Sequence, residues 1–550
     1  MAATTPIVDE VSTLNLMNHV RSLAQWVRTS GSAEEAKAFD YLQEQLTSFG
    51  YNVTRYESDA LIGLPGESLL TIAGENEEII PSNGYAFGGV TPDAGVSGEI
   101  VFVGFGRKDD YAGLDVTGKI VLADGIAMPD KVLKAFEAGA VALININDDH
   151  FHEMCISPVW GTPIPETAAL LPTLPTLSVL RADGEYLKAR IEAGTLTARI
   201  VTKPTLTDGK LPTLIGDLPA ESATDGTFAL FSGHVDSWHY GAMDNGTANA
   251  TQLEVARLLA DRRDDLKRGV RIAFWSGHSH SRYGGSAWYA DTFWHELHER
   301  CICHVNIDSV GAITADYLTS SGTMAETHAF GAEVVAELTG QTLGYSRMSR
   351  SSDQSFWGHG IPSLFAALSQ QGGPDDHNPF GLGWWWHTTE DLLDKVNPEN
   401  LQRDASVFAL ALWRLCTVDR LPFDYANVAN EIDGTLAAYQ AQAGDAFDLS
   451  GTRDLAQQLA TAVAAVNLDA AAFNTLAIEL GRILIPVNYT AWGPFEQDLA
   501  LGTVPLPGLR EIVNLPSLSG RDALYLRTKL IRERNRIEHA LRTAIRLTEG

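Results

Sequence analysis

The stretch "TFALFSGHVDSWHYGAMDNGTANATQLEVARLLA" at residues 227–260 decides the fold class. It begins with a short apolar run typical of a buried strand, continues as a glycine-rich loop, and ends with the spacing of a helix. The apolar runs "VRIAFWSG" (270–277) and "CHVNIDSVG" (303–311) repeat the strand pattern. Strands that alternate with helices predict an α/β fold with a mixed, mostly parallel sheet, helices on both faces, and a site at the carboxyl ends of the strands.

The chain on either side of this stretch divides into three predicted domains, because 550 residues are too many for one core. Residues 85–205 carry short Val- and Ile-rich runs such as "GKIVLADG" between Gly, Pro and Asp, which predicts a β-rich insert. Residues 1–84 and 206–425 then form one α/β domain around it. Residues 426–550 are rich in Ala and Leu and predict a helical domain.

Net charge and hydropathy limit the classes of molecule that the protein is expected to bind. Forty basic against 69 acidic residues give a net charge of -29, which opposes binding to nucleic acid or to an anionic membrane. The start "MAATTPIVDEVSTLNLMNHV" lacks a signal-peptide pattern, and we expect no stretch long and apolar enough to span a bilayer. A cytoplasmic protein that acts on a small-molecule or short peptide-like substrate is the expectation.

The loop "SGHVDSWHYGAMDNGTANA" carries residues suited to a metal. His234 is followed two residues later by Asp236, a spacing that suits an imidazole ligand whose other nitrogen is oriented by a carboxylate. Asp244, in the glycine-rich part of the loop, has two oxygens that can bridge two metals. These residue types predict a divalent transition metal.

Several blocks resemble one family. "VFVGFGRKDDYAGLDVTGKIVLADG", "VNIDSVG", "SSDQSFWGHGIPS" and "WWWHTTEDLLDKV" are similar to peptidase family M28, especially its glutamate carboxypeptidase II and transferrin receptor branch. The resemblance implies a sheet of the zinc-peptidase type, a protease-associated (PA) domain at 85–205, and a dimerisation-like domain at 426–550. It therefore implies a metallohydrolase that forms a homodimer.

The same resemblance implies the ligands. His234, Asp244 and Asp308 are expected around one metal, and Asp244 with His387 around a second, so that the chain holds one or two divalent ions, with zinc the expected metal.

The stretch "FWSGHSHSRYGGS" (274–286) departs from the family, whose corresponding loop carries two adjacent glutamates, one a ligand and one the catalytic base. One residue is inserted here, so the two positions fall either on Ser279 and His280 or on His278 and Ser279. His280 or His278 is then expected to bind the metal, and the other to act as general base, since imidazole does both near neutral pH.

The substrate pocket is expected to be apolar. Phe365 and Ala367 stand where the glutamate-specific members carry arginines, so an acidic peptide is not expected. Aromatic residues gather near the expected ligands and predict an aromatic-lined pocket; they are Trp238, Tyr240, Trp357 and Trp386. Residues 147–163 are placed to cover the site, with His150 and His152 expected as solvated loop residues.

Three functions remain open from the sequence. The first is hydrolysis of an amide-type bond in a small apolar or aromatic conjugate. The second is a metal-dependent lyase or isomerase with a histidine base, which the missing glutamates motivate. The third is a non-catalytic dimeric binding protein, against which the retained metal ligands argue.

Overall fold

The computed structural model describes residues 6–75, 77–221, 225–372 and 379–549. The strands are β1 Asn52–Ile72, β2 Glu78–Ile80, β3 Asn83–Gly84, β4 Val96–Phe102, β5 Ile120–Asp124, β6 Ala142–Ile146, β7 Thr176–Val179, β8 Thr197–Leu218, β9 Phe228–His234, β10 Gly269–Trp275, β11 Cys301–Asn306, β12 Gly322–Thr323, β13 Ser346–Arg347 and β14 Ser363–Leu364.

The α-helices are α1 Pro6–Asp9, α2 Thr13–Leu23, α3 Ala33–Ser48, α4 Pro129–Glu137, α5 Pro165–Ala168, α6 Arg181–Ala193, α7 Ala248–Ala260, α8 Gly284–Thr292, α9 Trp294–Arg300, α10 Ala325–Thr339, α11 Pro398–Thr417, α12 Tyr425–Ala443, α13 Ser450–Ala464, α14 Ala470–Tyr489 and α15 Gly520–Thr548.

The central strands confirm the predicted fold class. Strand β9 lies between β10 and β11 and runs parallel to both, and β11 is parallel to β14. Every residue of β9 is buried, because the sheet is covered on both faces. Ala229 and Phe231 pack in the core of α2, α3 and α7, whereas Phe228 and Leu230 face the core of α8 and α9.

Two long antiparallel strands join the central sheet to the insert. β1 and β8 pair from Asn52 opposite Asp217 to Ile72 opposite Ala198, with one irregularity between Leu64 and Glu67. The carboxyl-terminal end of β8 pairs with β10, and its amino-terminal end pairs with β4 of the insert. The insert is therefore attached by a continuous two-stranded ribbon, and its own strands β4 to β7 are parallel.

The region after residue 425 is helical, as predicted, and one of its helices corrects an expectation. Helix α14 is long and apolar enough to cross a membrane by length and composition, although we expected no such stretch. It packs against α12 and α15, and 39% of its most apolar window is buried. Core helices of proteins that never meet a membrane satisfy the same criterion.

Replacing Arg271 tests how strongly the central sheet depends on its buried ion pairs. Its guanidinium binds Asp217 of β8 (Nε to Oδ1, 2.6 Å) and Glu296 of α9 (Nη1 to Oε2, 3.0 Å). We expect Arg271→Met to lower the free energy of unfolding by about 2 kcal/mol, because it leaves the Asp217 carboxylate unpaired and leaves Glu296 with Arg300 alone. Urea unfolding measures the change.

Lys267→Met is the matched control, since Lys267 pairs with Asp419 on the surface. Its effect should stay within about 0.5 kcal/mol. Equal effects of the two substitutions would contradict the special role of the buried pair.

Candidate metal centre

Three potential ligands meet where the central strands end. His234 is the last residue of β9, His278 lies three residues beyond β10, and Asp308 lies two beyond β11. Because β9 is flanked by the other two strands, their side chains converge. One ligand atom from each lies within 4.8 Å of the others, and we call these three residues the strand-end cluster.

Asp244 extends this cluster toward His387. Its Oδ1 lies 3.2 Å from His234 Nε2, and its Oδ2 lies 3.1 Å from His387 Nε2. His234 Nε2 is also 3.4 Å from Asp308 Oδ1. The structure thus brings together the four ligands that the resemblance implied, with the Asp244 carboxylate between the two imidazoles.

The donor atoms fit a divalent cation. His234 Nδ1 donates to the carbonyl of Asp236 (2.9 Å), which leaves Nε2 facing carboxylate oxygens. Apart from these approaches to one another and to Asp308, His234 Nε2 and Asp244 Oδ1 are buried without a hydrogen-bond partner. Burial lowers the pKa of His234, but Asp308 and Asp244 hold it well above its ordinary value. A divalent metal held by His234, Asp244 and Asp308 would satisfy these atoms.

Asp391 fixes the position of Asp244. Its two carboxylate oxygens accept the backbone N–H groups of Met243 and Asp244, each at 2.9 Å. Burial raises the pKa of Asp391 to about 7, although these hydrogen bonds lower it. The backbone at Asp244 is therefore fixed by hydrogen bonds to Asp391.

Arg28 fixes the two ends of the loop between His234 and Asp244. The fully buried guanidinium donates to the carbonyls of Val235 (2.7 Å), Tyr240 (2.7 Å) and Gly241 (2.8 Å). Burial lowers the pKa of Arg28 to about 10. Nothing in the sequence around Arg28 marked it, since the loop carbonyls that it binds are more than 200 residues away.

Asp236 acts differently from the prediction. Its backbone carbonyl, rather than its side chain, accepts from His234. Its buried carboxylate accepts the N–H groups of His278 (3.1 Å) and Ser279 (2.8 Å) and the hydroxyl of Ser30 (2.8 Å). Asp236 therefore holds the loop that lacks the family's glutamates.

The two histidines of that loop occupy different places. His278 stacks on His234, with ring centroids 3.8 Å apart, and its Nδ1 lies 2.8 Å from the buried Asp353 Oδ2. His280 turns away: its Nδ1 lies 2.9 Å from Ser30 Oγ, and its ring packs on Trp238. Of these two histidines, His278 lines the cavity in front of the cluster and His280 does not.

The insert completes the site from the other side. The carbonyl of Glu153 accepts from His387 Nδ1 (2.6 Å), and Trp386 stacks on the His387 ring. The expectation that His152 is solvated was wrong: it is fully buried, with Nδ1 2.5 Å from the carbonyl of Trp386 and Nε2 3.0 Å from Asp148. The 147–163 segment is therefore part of the wall of the site.

A cavity of about 500 Å³ opens in front of the cluster. Trp238 and Trp386 line it together with Met154, Cys155 and other apolar side chains. Tyr240 instead is largely exposed, because its backbone is turned toward Arg28.

The placement of Trp357 in the pocket also requires correction. It is 1% exposed and packs in a core cluster with Met348 and Tyr489, with its N–H donated to Gln354. It faces the helical region, because the chain turns after Asp353. Asp353 itself was missed, although it lies in the quoted block "SSDQSFWGHGIPS".

Comparison with known proteins agrees with this geometry. The family model described as "Peptidase family M28" matches residues 213–412, and the one described as "PA domain" matches residues 89–187. The chain carries an M28 peptidase domain. The resemblance stated from the sequence is confirmed, as is the prediction of an M28-like metallohydrolase, whose reaction class remains a prediction.

Individual relatives are distant. Probable glutamate carboxypeptidase VP8 of Zea mays is 23% identical over 356 residues, or 52% of this chain and 49% of that protein. Aminopeptidase YwaD of Bacillus subtilis is 26% identical over 379 residues, or 65% of this chain and 74% of that protein. The aminopeptidase structure from Aneurinibacillus sp. strain AM-1 is 26% identical, with TM-score 0.56, covering 74% of this chain and 95% of that one.

Zinc binding tests the M28 centre directly. We expect added Zn²⁺ to stabilise the metal-free chain by about 3 kcal/mol at a hundredfold excess over Kd, and Asp244→Asn to abolish this effect. Thermal unfolding and elemental analysis measure stability and zinc per chain.

Glu326→Gln is the control, because Glu326 is a buried carboxyl group outside the cavity, with its pKa raised by burial to about 8. It should keep the full response to zinc. An Asp244→Asn variant that responds like the unaltered chain would contradict the assignment.

Proposed function

We propose that this chain is a metal-dependent hydrolase of an amide-type bond in a small apolar or aromatic conjugate. The observation that carries this proposal is that His278, a member of the strand-end cluster, is paired with Asp353 and so offers a base where the loop has no carboxylate. The M28 domain and its aminopeptidase and carboxypeptidase relatives support peptide-type hydrolysis.

The metal has a defined place in this proposal. His234, Asp244 and Asp308 are the proposed ligands of one ion, and Asp244 and His387 reach toward the position of a second. A bound divalent ion supplies Lewis-acid polarisation of a carbonyl group and activation of water. Zinc suits the mixture of imidazole and carboxylate donors.

His278 is the proposed general base. Asp353 accepts from Nδ1, so the other ring nitrogen is left to take a proton. The hydroxyl of Ser286 also donates to Asp353 (2.6 Å), which fixes the carboxylate. The imidazole takes the proton of the attacking water and returns it to the leaving nitrogen, so that one residue serves as base and then as acid.

His280 has a supporting place in this proposal. Its ring packs between Ser30 and Trp238 behind the cavity wall. The Ser30 hydroxyl links its Nδ1 to the Asp236 carboxylate, which also accepts from the backbone of the loop. We propose that it keeps His278 in position and does not touch the substrate.

The cavity fits an apolar group. Trp238, Trp386 and Met154 give it apolar walls that bury an aromatic or aliphatic substituent. A homodimer through the helical region and a cytoplasmic location complete the proposal; they rest on the family resemblance and on the sequence pattern.

Substitution of the two histidines separates their roles. We expect His278→Ala to lower kcat by about 1000-fold, since a positioned general base contributes about 100- to 10,000-fold. His280→Ala should lower kcat less, by about 10-fold, because its ring acts through the loop. Steady-state kinetics on an N-acyl aromatic amino acid and melting curves of both variants measure the effects. A larger loss in His280→Ala at equal stability would reverse the assignment.

Labelled water distinguishes hydrolysis from the lyase or isomerase that the missing glutamates also allow. Hydrolysis places one oxygen from H₂¹⁸O in the carboxyl product, as mass spectrometry detects. An elimination product without solvent oxygen would replace the proposed reaction.

A further inference from the structure

Arg282 differs from the other buried arginines of the chain. Five arginines are at least nine-tenths buried in the described ranges: Arg28, Arg268, Arg271, Arg282 and Arg350. Four of them donate several hydrogen bonds to carbonyl or carboxylate oxygens or to a side-chain amide, as Arg28 and Arg271 do. The Arg282 side chain has no hydrogen bond and no ion pair with any residue that the structure describes, and its Nε is buried without a partner.

The position of Arg282 indicates what its partner is. It lines the cavity in front of the strand-end cluster, next to Ser279, Tyr283 and Cys155. Its backbone has φ +46° and its carbonyl accepts from Gly161 of the insert (2.6 Å), so that the residue is anchored by its main chain. The guanidinium contacts the Tyr283 ring at 4.9 Å, which supports its plane without neutralising its charge.

A buried guanidinium without a counter-charge is costly. Its five N–H donors form a planar fork that matches a carboxylate. Since no carboxylate among the described residues pairs with the Arg282 guanidinium, its partner is expected to be a molecule bound in the cavity. Asp308 of the cluster and the neighbouring Asp244 also line the cavity, but neither lies within ion-pair distance of Arg282. Their side-chain partners are His234, His387, Ser309 and Ser352.

We propose that Arg282 binds a carboxylate of the substrate, which makes the substrate an N-acyl amino acid or a similar conjugate with a free acid beside the scissile amide. This inference rests on the proposed function and names its substrate class. It is independent of the positions Phe365 and Ala367, where the sequence lacks the arginines of the glutamate-specific members. The positive charge proposed to bind the substrate carboxylate therefore comes from the loop in residues 274–286.

The test compares N-acetyl-L-phenylalanine with its carboxamide, in which a neutral group of similar shape replaces the carboxylate, and follows release of the acetyl group from each. Binding is measured by titration calorimetry, and hydrolysis as kcat/KM, on the unaltered protein and on Arg282→Met. We expect the unaltered protein to prefer the acid, and Arg282→Met to reduce the acid-to-amide ratio by about 100-fold, since it removes a charge-assisted bidentate contact. Arg282→Lys should restore part of the ratio.

Arg347→Met is the matched control. Arg347 lines the same cavity, but its guanidinium is already bound by Glu431 (2.7 Å) and by the carbonyl of Asn488 (2.6 Å). It should leave the acid-to-amide ratio unchanged. Arg282→Gln replaces the methionine variant if melting curves show that the latter does not fold.

The outcomes separate the two proposals. An acid preference that survives Arg282→Met, equal affinity for the two compounds, or no binding of the acid overturns the Arg282 assignment. An Arg282-dependent preference without hydrolysis of either compound keeps the assignment and overturns the proposed function. Arg282-dependent binding of inorganic phosphate without a preference for the acid assigns the site to a free anion and overturns the substrate class.

Discussion

Charge balance in a buried site is the constraint on which this structure depends. The ends of the central strands enclose several carboxylates, imidazoles and guanidinium groups with little access to water, where an unpaired charge costs several kcal/mol. Asp236 and Asp391 are balanced by backbone N–H groups, and Arg28 by backbone carbonyls. Among the atoms left without such partners, His234 Nε2, Asp244 Oδ1 and Arg282 Nε lie at this site.

Two groups of unpartnered atoms at this site have opposite character. His234 Nε2 and Asp244 Oδ1 present electron pairs, and a cation satisfies them. Arg282 presents N–H donors, and an anion satisfies them. Both groups line the same cavity or its floor. A metal centre and an anion contact on one cavity are what an enzyme needs to hold a charged conjugate with its amide against the metal.

The altered loop keeps its place because its backbone, rather than its side chains, is fixed. Asp236 binds the N–H groups of residues 278 and 279, so the loop can lose its carboxylates without losing its position. His278 then meets Asp353, whose side chain comes from a distant block of sequence. In the function proposed above, an imidazole oriented by a carboxylate serves as the base in place of a carboxylate, on the same loop.

The sequence by itself determined the α/β pattern and the β-rich insert, because apolar periodicity is a local property, whereas the four expected ligands came from the family resemblance of its short motifs. Its quoted blocks also contained Asp353, although the spacing could not show which residue it contacts. The choice between His278 and His280 depended on which way a short loop turns, and Asp236, Ser30 and Trp238 decide that from other parts of the chain. Only the tertiary structure decided the isolation of Arg282, since the absence of a partner is a property of everything packed around a side chain.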